Sequence, residues 1–468
     1  MRGHDASEVE RLAAFVHSAG WDQLTVEARE ALKLRVLDSL GCAIAALDSG
    51  VVRAVRREVG EMGGRPLCTL IGGGRTSPDR AAFHNAAAVR YLDFNDSFMA
   101  PGETCHPSDN LGPVLAAVEF AGGDGRDLLV SLAIAYQVQC RLSEVAPVRA
   151  KGFDHVTQGA YAVAAGTARG LGLDPAATAN AIAIAGTAFN ALRVTRTGSL
   201  SNWKGLAYPN AAFGAVHAAF LARAGITGPR EVFEGNKGFM EAIAGRFSID
   251  WTSEGLDAVT RTSIKRFNAE FHSQAVLEAV LELRREYGLD PAQIDGATIE
   301  VFQVAYDIIG GGEEGEKRLV RSKEDADHSL PYLVAVALLD GQVFPPQFAP
   351  DRIVQADVQA LLRRVVVRPD PELSARFPQQ HPCRVHIRLR DGRTLTREKS
   401  AYLGFFTTPA GWSDVDEKFR RLATPVAGES AAERISRTVR GLEHVRIEEL
   451  CSLLEMVGRP EAGGVEHG

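Results

Sequence analysis

From Ser7 to about residue 260 one pattern recurs: apolar side chains every three or four positions, many of them alanine or glycine. That spacing lines apolar residues along one helix face. Small side chains on such faces let helix axes approach closely. A chain patterned this way over its first half predicts a helical bundle with helices buried on several sides. "SEVERLAAFVHSA" opens with Ser7 as helix cap, and "EALKLRVLDSLGCAIAAL" continues the pattern. "LDPAATANAIAIAGTAFNAL" begins with Asp174 as cap and Pro175 at the first helical position. "PNAAFGAVHAAFLARAG" predicts another helix starting after Pro209.

The texture changes near residue 290. "ATIEVFQVAYDII" and "RVVVRPD" are β-branched and strand-like. In "CRVHIRLRDGRTLTRE", Val385, Ile387 and Leu389 alternate with polar residues and Asp391-Gly392 marks a hairpin turn. Between them, "ADHSLPYLVAVALLDG" predicts a helix opened by Ser329. Beyond residue 400 helical patterning returns. Ser413 with Asp416, and Ser430 with Glu433, have capping-box spacing, and the last ten residues, rich in Gly and Glu, are expected to fray. The expected fold is mainly α. Residues 1–268 form a large helical domain, 269–398 an inserted α+β lid, and 399–458 a helical segment returning to the first domain.

A formal charge of -7 argues against a broad nucleic-acid-binding face but leaves room for a local basic pocket. Six cysteines, none in a CxxC pair, predict free thiols in place of a disulfide framework, a zinc ribbon or an iron–sulfur cluster built on CxxC. Asp5, Glu8 and Glu10 are wrong for a transit peptide, and no apolar stretch is long enough for a secretory signal or a membrane span. A cytoplasmic location is expected.

The densest polar chemistry lies in "DFNDSFMAPGETCHPSDN", residues 93–110. If the preceding helix runs to residue 97, Asp93, Asp96 and Ser97 share one face. His106 precedes a predicted helix start near Ser108, where free N–H groups and the dipole favour an anion. Lys204 stands beside Trp203 between two helices. Lys265 and His272 lie seven residues apart at the expected domain junction, a common place for a ligand. His155 precedes an alanine-rich helix, and His328 and Tyr332 precede the helix of the smaller domain. The 93–110 stretch divides evenly between a site and solvated acids with a turn histidine, whereas Lys204, Lys265, His272, His155, His328 and Tyr332, taken singly, read as solvated or structural polar residues. "IGGGRTS" lacks the Lys-Ser/Thr ending of a phosphate loop, and "GGGEEGEKR" lacks the strand–helix setting of a dinucleotide fold. No HExxH, GxSxG or kinase signature occurs.

Five segments, "YLDFNDSFMAPGETCHPSDNLGPVLAA", "TRTGSLSNWKGLA", "EVFEGNKGF", "IKRFNAEFHSQ" and "DHSLPYLVAVALLDG", occur in an order that closely resembles the MmgE/PrpD family over nearly the whole chain. The resemblance implies a helical domain built from both chain ends with an inserted lid, a homodimer, and no metal or other cofactor. It also implies a small di- or tricarboxylate substrate, with the branch that dehydrates 2-methylcitrate in propionate breakdown looking nearest. Carried over residue by residue, it assigns catalytic roles to Asp93, His106, Lys204, Lys265 and Tyr332. Ser97, His155 and His272 become substrate-binding residues; Asp154 and Val156 flank His155 where relatives more often have a different context.

Dehydration beside a carboxylate needs a base for the carbon-bound proton, an acid for the departing hydroxide, and positive charge for the carboxylate that gains electron density. His106 is the expected proton carrier. Lys204 and Lys265 are expected to neutralise carboxylates and to depress each other's pKa in an empty pocket. Asp93 is expected to orient His106 or hold the substrate hydroxyl, with Ser97 sharing the task, and Tyr332 to close the site from the lid. Rival readings are a decarboxylase of cis-aconitate or an epimerase of the same family, a magnesium-dependent prenyl-diphosphate enzyme suggested by "DFND", and a non-catalytic carboxylate binder.

Overall fold

The computed structural model describes residues 6–198 and 200–458 and is mainly α-helical. Local sequence signals set many of its helix starts. Ser7 accepts from Glu10 N while the Glu10 carboxylate takes Ser7 N–H, so a capping box opens the helix Glu8–Ser18. Asp174 caps Pro175–Ala188, with Pro175 leading, and Ser329 caps Leu330–Asp340.

Two principal cores result. The larger gathers apolar residues from Val9 to Ile264, adds Phe344, and takes Val415 to Val457 from the chain's last helices. The second runs from Phe267 to Phe405 around a four-stranded sheet. Its strand order is Val365–Pro369, Ile294–Val301, Cys383–Leu389, Thr394–Lys399; the first pair is parallel, the others antiparallel. Val385, Ile387 and Leu389 point into that core, and Gly392 in the turn has φ +89°.

Small residues bring the helices of the larger core into backbone contact. A Cβ on Gly112 would lie 2.5 Å from Ala86 N, and one on Gly159 would lie 2.3 Å from Tyr208 Cε2. The helices Pro78–Tyr91, Leu111–Ala121, Val156–Gly170 and Trp203–Arg223 therefore pack close behind one polar patch.

Several sequence expectations are corrected. The helix expected after Pro209 starts at Trp203 and carries Pro209 inside it, because burial of Lys204, Ala207 and Tyr208 outweighs one missing backbone hydrogen bond. The helix before Asp93 stops at Tyr91, and Asp93 itself takes φ +55°, so Asp93, Asp96 and Ser97 share no helical face. Ser413 and Ser430 are not caps. Trp412–Ala427 starts from Gly411, whose N–H meets Asp414, and Glu429–Arg440 starts from Gly428 at φ +79°. Ile294–Val301 ends before Gln303, and "QVAYDII" turns helical. The last ten residues, expected to fray, lie outside the described residues. All six cysteines are free and buried. Among the described residues no helix is long and apolar enough to cross a membrane.

Candidate active site

Where the two cores meet, a cavity of about 50 Å³ is lined by Arg90, Asp93, Glu103, His106, Arg149, His155, Arg193, Arg196, Lys265, Glu270, His272, Glu314 and His328, among others. Four imidazoles, four arginines and one lysine thus face one small space.

Asp93 is its hub. Lys265 Nζ bonds both Asp93 Oδ1, at 2.7 Å, and Asp93 O, at 2.6 Å. Arg90 Nη1 reaches the same Oδ1 at 2.7 Å, and Lys204 Nζ lies 3.4 Å from Oδ2. The left-handed backbone at Asp93 lets one residue offer carbonyl and carboxylate to the same lysine. Burial would raise this carboxyl; Arg90, Lys265 and Lys204 outweigh it and hold it well below the usual range. Burial in turn lowers Lys265, against the pull of Asp93. The lysine's depression therefore comes first from desolvation, not from the other lysine as the sequence suggested.

His106 sits between the hairpin Phe98–Ala100/Glu103–Cys105 and the 3₁₀ turn Pro107–Asn110. Asp96 fixes that turn: Oδ1 accepts from Ser108 N at 3.0 Å and Oδ2 from Tyr136 OH at 2.9 Å. His106 Nδ1 lies 2.8 Å from Asp96 O and 3.1 Å from Ser97 Oγ. A carbonyl can only accept, so Nδ1 carries the proton and Nε2 keeps its lone pair. Burial, with Arg90 and Lys265 nearby, holds the imidazole well below its ordinary pKa. The ring is neutral and its free nitrogen has a lone pair open to a proton. Asp96 and Ser97 orient it; Asp93, expected to do so, is committed to the cations.

His155 is buried, lies 3.6 Å from Asp154, and has no hydrogen-bond partner for either ring nitrogen among the described residues. Burial, helped by Arg196 and Arg90, pushes it down to about 3. Asp154 itself is held low: burial opposes this, but Arg196 at 2.6 Å and Arg193 prevail. On the side of the second core, His272 Nδ1 donates to Glu270 Oε1 at 2.7 Å, leaving Nε2 unpartnered among the described residues. Despite its burial, Glu270 falls to about 2 because of His272.

Lys204 ties the two sides. Its ammonium lies 2.8 Å from Asp327 Oδ1 and 2.9 Å from His328 Nδ1. Asp327 also takes His328 Nδ1 at 2.6 Å and Lys323 at 2.7 Å. Asp93, Asp327 and His328 bring ligand atoms within 4.8 Å of one another, the spacing of a small metal site. The Lys204 ammonium stands on those same atoms, so the donor set already serves a cation of the protein's own.

Of the eight residues given roles by the family resemblance, Asp93, His106, Lys265, His155 and His272 line the cavity, as does His328. Lys204 and Ser97 each bond a group that does. Tyr332 does not reach it. Its ring is buried in the lid core and its hydroxyl donates to Gln347 O, so the expected closing role has no geometric support. Unforeseen were Arg90, Arg149, Arg193, Arg196 and Glu270, and Lys418, whose ammonium donates to Phe94 O and Lys265 O at 2.8 Å each and pairs with buried Asp38 at 2.6 Å. Lys418 clamps together the two segments that carry Asp93 and Lys265. Its only sequence signal is a lysine on the apolar face of an amphipathic helix.

Residues 10–252 match the family model of the MmgE/PrpD N-terminal domain, and residues 267–444 that of the MmgE/PrpD C-terminal domain. Among relatives, mouse cis-aconitate decarboxylase is 26% identical, covering 96% of this chain and 92% of the relative. The 2-methylcitrate dehydratase of Salmonella typhi is 29% identical, covering 73% and 74%. A fungal alkylcitrate dehydratase, phiI, is 27% identical, covering 97% and 94%.

Proposed function

The chain belongs to the MmgE/PrpD family, and from that premise we propose that it is a lyase that removes water from 2-methylcitrate, or a close 2-alkylcitrate, to give the corresponding aconitate. The observation that carries this reading is His106. Its Nδ1 proton is spent on a backbone carbonyl, so Nε2 is a free base on a ring that lines a cation-rich cavity.

Substrate carboxylates sit against Lys265 and the arginines. Nε2 of His106 takes the proton from the carbon next to one carboxylate. The electron density gained by that carboxylate is met by Lys265 and Arg90, which Asp93 holds in place before substrate arrives. His272, backed by ionised Glu270, gives the departing hydroxyl its proton, so the carbon–oxygen bond breaks with loss of water. Proton exchange with solvent then resets both rings. Acid–base assistance contributes roughly 10²–10⁴-fold, so the fixed cations carry a large share of the remaining barrier. The reading asks for no metal.

A second reading is decarboxylation of cis-aconitate. It is favoured by the mouse and human cis-aconitate decarboxylases, which align over 96% of this chain. The same cations would hold the carboxylates, and an imidazolium would protonate the carbon that loses carbon dioxide. Incubation with 2-methylcitrate, citrate and cis-aconitate, with and without EDTA, followed by mass spectrometry, separates the two. Loss of water from 2-methylcitrate, insensitive to EDTA, is expected. Turnover of cis-aconitate alone, with loss of carbon dioxide, would replace the first reading with the second.

A further inference from the structure

Arg149 and Arg193 open two 3₁₀ turns, Arg149–Lys151 and Arg193–Arg196. The backbone pins these turns side by side: Arg193 N donates to Gly152 O and Asp154 N to Ala191 O, each at 2.9 Å. Both guanidinium groups converge on one oxygen, Glu314 Oε1, at 3.0 and 2.7 Å. Glu314 comes from the other side of the cavity, within the glycine-rich "GGGEEGEKR" that lacks the setting of a dinucleotide fold. Its side chain is only 5% exposed, and all three residues line the cavity.

Paired guanidinium groups are well suited to recognising a carboxylate ligand. Here the carboxylate belongs to the protein. The cavity, at about 50 Å³, is far below the ~300–1,000 Å³ of ordinary ligand pockets, so a lining group must withdraw before a tricarboxylate fits. The other acids are poorly placed to do so. Asp93 is bonded to Lys265 and Arg90, Glu270 to His272 N and Nδ1, and Glu103 to the N–H groups of Val148 and Arg149. Glu314 stands between Gly311 and Gly315, at φ +106° and +94°, where the backbone can change course at low cost.

We infer that Arg149 and Arg193 form the subsite for one substrate carboxylate, and that Glu314 fills this subsite in the free protein and yields it as substrate enters. This rests on the reading that the substrate is a small polycarboxylate. Glu314 is then an internal competitor, and its loop moves each time the site fills.

Citrate, as probe, is titrated calorimetrically into the wild type, Glu314→Gln, Arg193→Gln and the double variant. Glu314→Gln keeps the shape and removes the competing charge. Citrate binds it about tenfold more tightly, the size of one charge-assisted hydrogen bond, and the double variant loses that gain. Unchanged or weaker binding by Glu314→Gln overturns the inference while leaving the proposed function standing. Absence of citrate binding by all four proteins overturns both. Hydrogen exchange on the wild type gives a second test that needs no variant. Citrate raises exchange across residues 310–318 and lowers it at 149–153 and 191–196; unchanged or lowered exchange across 310–318 rejects the displacement.

Discussion

The two walls of the cavity are held in different ways. On the helical wall the central charged groups have several fixed partners: Asp93 has Lys265, Arg90 and Lys204, Lys265 has the Asp93 carbonyl and carboxylate, and Lys418 braces the backbone at Phe94 and Lys265. On the lid wall, His272 hangs on Glu270, and His328 is oriented by Asp327. Among the described residues, Glu314 is held by arginines from across the gap and by its own backbone, whose N–H meets Asp307 O. Groups that hold charge in place before substrate arrives, Asp93 and Lys265, sit where packing and hydrogen bonds over-determine them. Glu314, which must make way for a substrate, sits where its two arginine contacts can be exchanged for those of an incoming carboxylate.

The largest effect that probes this contrast is on the helical wall. Lys418→Met removes the brace and leaves Asp38 buried without its cation. Broken buried pairs cost roughly 3–5 kcal/mol. The low end is expected, about 3 kcal/mol, because burial already raises Asp38 and lets it take up a proton. Denaturant unfolding measures it, and a cost below about 1 kcal/mol, the scale of a single neutral hydrogen bond, would show that the brace is incidental.

Lys265→Met comes next. It removes the charge that meets the developing carboxylate and lowers kcat by about 10²–10³-fold. Lys265→Arg, whose larger planar head does not match the compact buried space that the ammonium fills beside Asp93, recovers only part of the loss. Full activity in either variant would move charge stabilisation elsewhere in the cavity.

Acid sharpens the comparison through stability. His155 and His381 are pushed down to about 3 and His84 to about 4, each by burial, and His106 lies well below its ordinary value. In the unfolded chain these rings take protons near pH 6.5. Between about pH 6.5 and 4 the unfolded state therefore binds more protons than the folded one, and stability falls as pH falls. The melting temperature should be nearly level from pH 8 to 7 and drop steadily below 6.5; a rise on acidification would contradict the buried, neutral state of these rings.

The smallest effect is on the lid. Tyr332→Phe loses one hydrogen bond to Gln347 O, about 1 kcal/mol of stability, and leaves kcat unchanged. A large fall in kcat would return Tyr332 to the site from which its position removes it.

Features written into adjacent residues could be read from sequence. The caps Ser7, Asp174 and Ser329, the alternation of Val385, Ile387 and Leu389, and the Asp391-Gly392 turn all took the expected form. Features set by distant contacts could not. Pro209 inside a helix and φ +55° at Asp93 follow from what packs or bonds there, not from local preference. Asp93, His106, Lys265 and His272 stood out through their motifs. Arg90, Arg149 and Arg193 did not, because an arginine in a helix or short turn reads as solvated until folding buries a carboxylate beside it.

The most direct test concerns His106. Turnover and calorimetric binding of the acid identified in the substrate panel are measured in parallel on the wild type and His106→Gln. If the neutral Nε2 of His106 is the base, kcat falls by about 10²–10⁴-fold while Kd stays unchanged. Turnover close to that of the wild type, with binding intact, would contradict it and require another base in the cavity.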